Sequence, residues 1–159
     1  DLNTLNLLSE FYSTSGKNDQ AKDVLADALS RNSRDPQSLI NLAAIYIDGE
    51  KWDSAGTLIG NFVSDKLITP EEKLQVAQYL YARQQEEPNN VQLRIESGRI
   101  LDLFCKSEPD YGLAFTLAGQ FYSQNNDIDN ALLKLEKGNE LLPQDDTAWR
   151  LRLQLLLNH

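Results

Sequence analysis

Apolar and small residues recur along this chain with a fixed spacing of 34 positions. Tyr12 is followed by Tyr46 at this spacing, and Ala21 is followed by Ala55. Tyr122 comes after Tyr46 at twice this spacing plus eight further positions. A period of this size predicts a stack of helix pairs in which each pair covers the apolar face of its neighbour.

Turn and capping signals divide the repeating pattern into units. Gly- and Asn-containing turns are predicted at residues 16–18, 49–51 and 125–127. Asp35 before Pro36 marks one helix start, and the capping box that begins at Thr69 marks another. We predict nine helices in a single array over residues 1–159. Its units are 2–35, 36–69, 70–111 and 112–145, followed by a partial unit or terminal helix at 146–159.

Residues 70–111 form an irregular unit that is eight residues longer than the others. Pro88, Asn89 and Asn90 mark its turn, because Pro ends a helix and Asn favours turn conformations. Eight extra residues shared by two helices add about one turn to each. We therefore expect the loop at 86–90 to protrude by about 5 to 6 Å beyond its neighbours. The alternative is a lengthened loop.

The residues at the repeating positions identify the family that the pattern resembles. They are Leu5, Leu8, Ser9, Tyr12, Ala21, Leu25 and Ala28, then Leu39, Leu42, Ala43, Tyr46, Trp52, Ala55, Ile59 and Phe62, then Phe115, Ala118, Gly119, Tyr122, Ile128, Ala131, Leu135, Gly138 and Pro143. This set resembles the tetratricopeptide repeat (TPR). The resemblance implies an all-α, right-handed superhelical solenoid of antiparallel helix pairs.

Composition narrows the classes of partner. The hydrophobic fraction of 41% and charged fraction of 25% are typical of a folded protein. A net charge of −9 argues against a nucleic-acid partner, because such binding surfaces are basic. No apolar run approaches the roughly 20 residues that span a bilayer, so we expect no membrane insertion. The chain begins at Asp1 and has no Met, which indicates a piece of a longer protein; its localisation stays open.

Residues suited to catalysis or metal binding are scarce. The single histidine is His159, at the end of the chain, and no glycine-rich phosphate loop occurs. We interpret Cys105 as a small buried helix residue rather than a reactive thiol. The acidic pairs at 86–87 and 145–146 suit capping and solvation better than acid–base chemistry. The sequence therefore predicts no enzyme, cofactor or metal site.

The resemblance also implies that the first helix of each pair lines a concave surface. Amide side chains dominate the corresponding positions, and they suit hydrogen bonding to an extended peptide backbone. The alternative is ordinary solvation of a helix surface. The predicted contact residues are Asn3, Asn6, Glu10, Gln37, Ile40, Asn41, Asp48, Gln78, Tyr81, Gln120, Gln124 and Arg150, and Ala44, Leu74, Thr116 and Gln154 occupy related positions.

One known use of TPR arrays, a basic clamp for the carboxylates of a chaperone tail, is disfavoured. Asn41 fits one amide position of that clamp, but the other amide position holds Glu10. The positions that should be basic hold Asn6, Glu71 and Gln75, so a carboxylate would meet Glu10 and Glu71 with no cation to offset them.

Leucines cover more than one face of the terminal helix, whereas a capping helix should be polar outside. We therefore expect either that further units follow or that this helix forms a homodimer. The favoured function is a scaffold or adaptor that binds a partner protein's peptide or helix in the amide-lined groove. The alternative is a structural spacer or homodimerisation module of a larger protein.

Overall fold

The chain is all-α throughout the part that the structure describes. The computed structural model describes residues 1–158, and His159 lies outside the described residues. Nine helices occupy residues 1–158, as predicted. They are α1 (Leu2–Thr14), α2 (Asn18–Arg31), α3 (Pro36–Asp48), α4 (Trp52–Ser64), α5 (Pro70–Glu86), α6 (Val91–Ser107), α7 (Gly112–Gln124), α8 (Ile128–Leu141) and α9 (Asp146–Asn158).

The helices group into two compact units. The first unit ends at Ile68 and contains α1 to α4, and the second begins at Thr69 and contains α5 to α9. This division lies next to the predicted boundary between the second and third repeats. In each unit the odd-numbered helices are the first helices of their pairs, and the even-numbered helices are the second.

In the first unit, residues of the repeating pattern form the core. Ala21 and Leu25 of α2 are fully buried and pack with Ile45 of α3. Tyr12 and Leu42 pack against the same cluster. Since α1 also contacts α3 directly, α1 touches both its own second helix and the next first helix. This is the packing that the repeat pattern predicts.

In the second unit, a glycine sets how closely α7 and α8 approach. A Cβ added at Gly119 would lie 2.6 Å from Cγ of Leu135, so the close contact requires a residue without a side chain. Leu135 and Ala131 of α8 in turn pack against Ala148 and Leu155 of α9. The helix pair and the next first helix therefore share one core.

The same turn ends three of the first helices. In each turn the carbonyl of a tyrosine accepts a hydrogen bond from the backbone N–H five residues later, which is the bond of a Schellman cap. The residue before that N–H has a positive φ: 73° at Gly16, 54° at Glu50 and 59° at Asn126. The accepting tyrosines are Tyr12, Tyr46 and Tyr122.

The irregular unit is longer because its helices are longer. α5 and α6 have 17 residues each, whereas the other helices have 13 or 14. The prediction of about one added turn in each helix is confirmed. The capping box at the start of α5 is also confirmed, because Thr69 and Glu72 exchange both of its hydrogen bonds. How far the 86–90 loop protrudes stays a prediction.

Cys105 and Lys73 are both buried in the second unit, but only the burial of Cys105 was predicted. Cys105 is buried, as predicted, and its burial raises the pKa of the thiol to about 11. Lys73 was not singled out by the sequence. It stands one repeat after Leu39, at a position that is apolar in the first two repeats, and it pairs with Glu108.

None of the described helices has both the length and the apolar character needed to cross a bilayer.

Candidate functional site

Three first helices form a groove in the second unit. α7 contacts both α5 and α9, so the three helices lie side by side. The depression between them has a volume of about 360 Å³. Its lining residues are Tyr81 of α5, Gln120, Ser123 and Gln124 of α7, and Thr147, Arg150, Leu151 and Gln154 of α9.

Tyr81 and Gln124 are neighbours in the lining of this groove. Partial burial raises the pKa of the Tyr81 phenol, and hydrogen bonds from Gln124 and Gln85 oppose that shift. The hydroxyl therefore remains protonated at neutral pH. The half-buried Tyr81 thus adds an aromatic side chain, held by two amides, to the lining of the groove.

The remaining lining residues offer hydrogen-bonding groups and one positive charge. Gln120 and Gln154 each present a carbonyl acceptor and an amide donor. Arg150 is exposed and is the only cation among the eight lining residues. No carboxylate lies among those eight residues, although the whole chain carries a net charge of −9. The groove therefore suits a polar peptide segment that is either uncharged or acidic. Within residues 1–158, no cluster of His, Cys, Asp or Glu could hold a metal ion.

The first unit has a much smaller depression between α1 and α3. Its volume is about 120 Å³, and it brings Glu10 and Asn41 together. The Asn41 amide is already engaged: its nitrogen lies 3.4 Å from a carboxylate oxygen of Glu10, and its oxygen accepts a 2.9 Å hydrogen bond from Gln37. These amides hold the unit together and have little capacity left for a ligand.

Asn6 and Thr116 differ from their expected exposure in the groove. Asn6 is only 6% exposed, and its amide donates to Asp35 at 3.1 Å. Thr116, equally buried, donates to Asp145 at 2.9 Å. Both acceptors lie 29 residues after their donors, at the last position of the repeat and directly before the next first helix. The polar side chains turn inwards because a carboxylate at the repeat boundary receives their hydrogen bonds.

This boundary carboxylate is also a helix cap. Asp35 accepts a hydrogen bond from the backbone N–H of Ser38 in the first turn of α3. Burial disfavours ionisation of Asp35, but the hydrogen bonds from Ser38 and Asn6 outweigh it and lower the pKa of the carboxyl. The carboxylate is thus held ionised between α1 and α3.

The other predicted contact residues lie outside the groove of the second unit. Asn3, Gln37, Asp48 and Gln78 are exposed, and Ile40 is half-buried. Of the twelve predicted residues, the structure gathers four in that groove: Tyr81, Gln120, Gln124 and Arg150.

Three lining residues were not predicted as contact residues. Ser123 follows Gln120 by three positions, and Leu151 precedes Gln154 by three, so helical spacing places each pair on one face. That spacing was the available signal. Thr147 lies in the first turn of α9, where sequence patterning is weakest.

Comparison with known proteins decides the fold. No protein-family model and no curated protein sequence matches the chain. A solved structure of MamA residues 41–end from Desulfovibrio magneticus RS-1 is 13% identical over 99% of this chain and 84% of that one, with a TM-score of 0.53. TTC0263, a thermophilic TPR protein of Thermus thermophilus, is 16% identical over 99% and 82%, with a TM-score of 0.51. The fold is that of the tetratricopeptide repeat.

A second MamA structure gives the same result, with 16% identity over 94% of this chain and 83% of that chain, and a TM-score of 0.55. Identities this low establish the fold alone. The first helices of this TPR fold, α5, α7 and α9, are the ones that line the groove.

Proposed function

We propose that this chain is a protein-interaction module that holds an extended peptide segment of a partner protein in the groove of α5, α7 and α9. One observation supports the proposal most directly. Four residues predicted as contacts from repeat position alone, on three different helices, line the same depression: Tyr81, Gln120, Gln124 and Arg150.

The chemistry of the groove favours a peptide. Gln120 and Gln154 offer donors and acceptors that match the N–H and C=O groups of an extended backbone. Tyr81 offers an aromatic surface for an apolar side chain, and Arg150 offers a charge for an acidic one. Docking of this kind is typically micromolar, about −8 kcal/mol. The proposed function has no catalytic step.

The second unit is the better candidate for this role than the first. Asn6 and Asn41 of the first unit are bonded to neighbouring side chains. A ligand would have to break those bonds, and each unreplaced one costs about 1 kcal/mol. Gln120 and Gln154 of the second unit require no such exchange with a buried carboxylate.

A capture experiment tests the proposal. The groove variant is Gln120→Arg with Gln154→Arg, and the matched control is Gln92→Arg with Gln144→Arg, which places the same charges on exposed sites outside the groove. All proteins are first shown to be equally helical by circular dichroism. A partner retained by wild type and control but lost by the groove variant supports peptide binding in the groove.

Photo-crosslinking adds a positional readout. A photoreactive residue at position 120 should crosslink to the captured partner, and the same residue at position 92 should not. Equal capture by all three proteins, with no crosslink from position 120, would contradict groove binding. That result would favour the alternative function, a structural spacer within a larger protein.

A further inference from the structure

The start of α6 borders a second cleft in the second unit. Its volume is about 450 Å³, within the roughly 300 to 1,000 Å³ that is usual for small-molecule sites. It is lined by α6 between residues 94 and 102, by Phe121 and Tyr122 of α7, and by Asn125 and Asp127 in the turn that follows α7. We call it the hairpin cleft.

The longer helices of the irregular unit form part of this cleft. α6 begins six residues before Ser97, whereas α8 begins three residues before Ala131, the residue at the same repeat position. Arg94 therefore lies inside the first turn of α6, at the position where a regular second helix begins. At the end of α5, the buried Gln84 donates a 3.3 Å hydrogen bond to Asn125. The added turns thus bring Arg94 beside the turn between α7 and α8 and hold that turn in position.

Arg94 is the charged group of this cleft that the protein leaves unpaired. Its side chain is half-buried, and among residues 1–158 it has no ion pair and no hydrogen bond. It also lies in the first turn of α6, where the helix dipole is positive and disfavours a cation. Burying a cation without a partner costs free energy, so Arg94 does not serve stability here. Departures of this kind from the local rules are expected at binding sites.

The other charged groups of the cleft already have partners. Asp102 is bonded through both oxygens, to the Lys134 ammonium at 2.6 Å and to the Tyr122 hydroxyl at 2.7 Å. Asp127 caps α8, and Arg99 pairs with a glutamate of its own helix at 2.9 Å. One charged group, the guanidinium of the unpaired arginine, is left to bind an anion.

Apolar surface lies next to this guanidinium. Gly98 lets α6 approach α7 closely, since a Cβ added there would lie 3.2 Å from a ring carbon of Phe121. Tyr122 lines the same cleft, and Ile95, directly after Arg94, is 54% exposed. The cleft therefore combines one free positive charge with aromatic and aliphatic side chains.

We propose that the hairpin cleft binds a small organic acid, whose carboxylate pairs with Arg94 and whose apolar part lies against Ile95 and Tyr122. A guanidinium donates two parallel hydrogen bonds to a carboxylate, and Arg94 is free to make both. A second negative charge on the ligand would have no free partner in the cleft, and the net charge of −9 would repel it. A monocarboxylate is therefore favoured over phosphates and dicarboxylates. The cleft shares no residue with the peptide groove, so this site is independent of the proposed peptide binding.

Titration with phenylacetate, followed by NMR of the isotope-labelled chain, tests the assignment. This probe joins one carboxylate to an apolar ring and has about ten heavy atoms, a size for which millimolar binding is usual. The Gly98 amide signal and the Arg94 side-chain N–H signal should shift with a millimolar dissociation constant. Phenylacetamide, which is the uncharged analogue, should bind at least about tenfold more weakly.

Variants of α6 identify the group that holds the carboxylate. Arg94→Gln should raise the dissociation constant for phenylacetate by about tenfold. Arg94→Lys keeps the charge but not the two parallel hydrogen bonds, so it should recover part of the affinity. Lys106→Gln removes a positive charge from an exposed position of the same helix and should bind as wild type does. Circular dichroism first shows that all the variants are equally helical.

Several results would overturn the proposal. One is the absence of any shift at Gly98 or Arg94 up to tens of millimolar phenylacetate. Another is equal binding of the acid and the amide, a comparison that needs no variant. Shifts confined to Gln120 and Arg150 would assign the acid to the peptide groove. An acidic, phenylalanine-containing peptide that binds the cleft more than about tenfold tighter than phenylacetate would assign the cleft to a segment of a partner protein instead.

Discussion

Lys73 and Glu108 form an ion pair in which the lysine side chain is 1% exposed and the glutamate side chain is 23% exposed. The lysine occupies a position held by Leu39 one repeat earlier. Burying an ammonium group costs free energy, which the attraction of its partner must offset. Well-packed apolar residues of similar volume often give a more stable protein than a buried ion pair does. The pair therefore ties α5 to the end of α6 without being the most stable choice for that position.

Replacing the two partners should have opposite effects. We expect Lys73→Met to leave the free energy of unfolding unchanged or to raise it by about 1 to 4 kcal/mol. Glu108→Gln should lower it by about 3 kcal/mol, because it leaves the buried ammonium without a counter-charge. Urea unfolding followed by Trp149 fluorescence in a Trp52→Phe background reports on the second unit. A Lys73→Met variant as unstable as Glu108→Gln would contradict this prediction.

The hydrogen bond from Asn6 to Asp35 should make the first unit sensitive to acid. The pKa of Asp35 is lowered on folding from about 3.8. A lowered pKa contributes stability above the unfolded-state value, and that stability is lost as the pH falls through the folded-state value. Asn6→Ala should therefore destabilise by about 1 to 3 kcal/mol at neutral pH and by less at acidic pH, once Asp35 is protonated.

The measurement is urea unfolding at about pH 7 and at about pH 3, followed by the fluorescence of Trp52 in a Trp149→Phe background. Asn3→Ala, at an exposed position of the same helix, is the control and should have little effect at either pH. An equal loss at both pH values would show that Asn6 acts through packing rather than through the carboxylate.

Gly119 should tolerate no side chain. We expect Gly119→Ala to lower the stability of the second unit by about 1 to 3 kcal/mol, because the new carbon overlaps Leu135. Leu153→Ala, at the equivalent position of α9, removes an exposed side chain and should change stability by less than about 0.5 kcal/mol. Thermal unfolding of both variants compares the two positions. A neutral Gly119→Ala would mean that α8 shifts readily away from α7.

Glu50 is a candidate for a stabilising change. It adopts a φ of 54°, in the left-handed region that costs a residue with a side chain roughly 1 to 2 kcal/mol. Glu50→Gly should raise the free energy of unfolding of the first unit by up to about 1 kcal/mol, since part of the relief is lost to chain entropy. Lys51→Gly is the control: φ there is −88°, so glycine should destabilise. If both glycine variants changed the free energy of unfolding in the same direction and by the same amount, strain at Glu50 would not be the cause.

Helix pairs were the most predictable feature of this chain. The spacing of Tyr12 and Tyr46 located the first helices and their turns, and Pro88 with the eight added residues located the longer hairpin. Both inferences depend on local periodicity and turn chemistry, which a sequence shows directly.

Polar side chains were less predictable. Asn6 and Gln120 looked alike in the sequence, as amides at groove positions, yet one is buried and the other lines a groove. Asn6 is buried because it donates a hydrogen bond to Asp35, 29 residues later, whereas the residue 29 positions after Gln120 is Trp149, which has no carboxylate. Lys73 shows the same limit, because an apolar position can hold a lysine only where a distant partner such as Glu108 is present.

The double role of Asp35 limits how these repeats could be exchanged. A single carboxylate caps α3 and accepts the amide of α1, so it belongs to two consecutive repeats at once. A repeat transplanted from another array would therefore be compatible only if it carried a donor where Asn6 or Thr116 stands and met an aspartate at the junction. At these two junctions the donor and the aspartate have to be present together, and a recombined array that lacked the donor would leave the aspartate there with an unsatisfied charge.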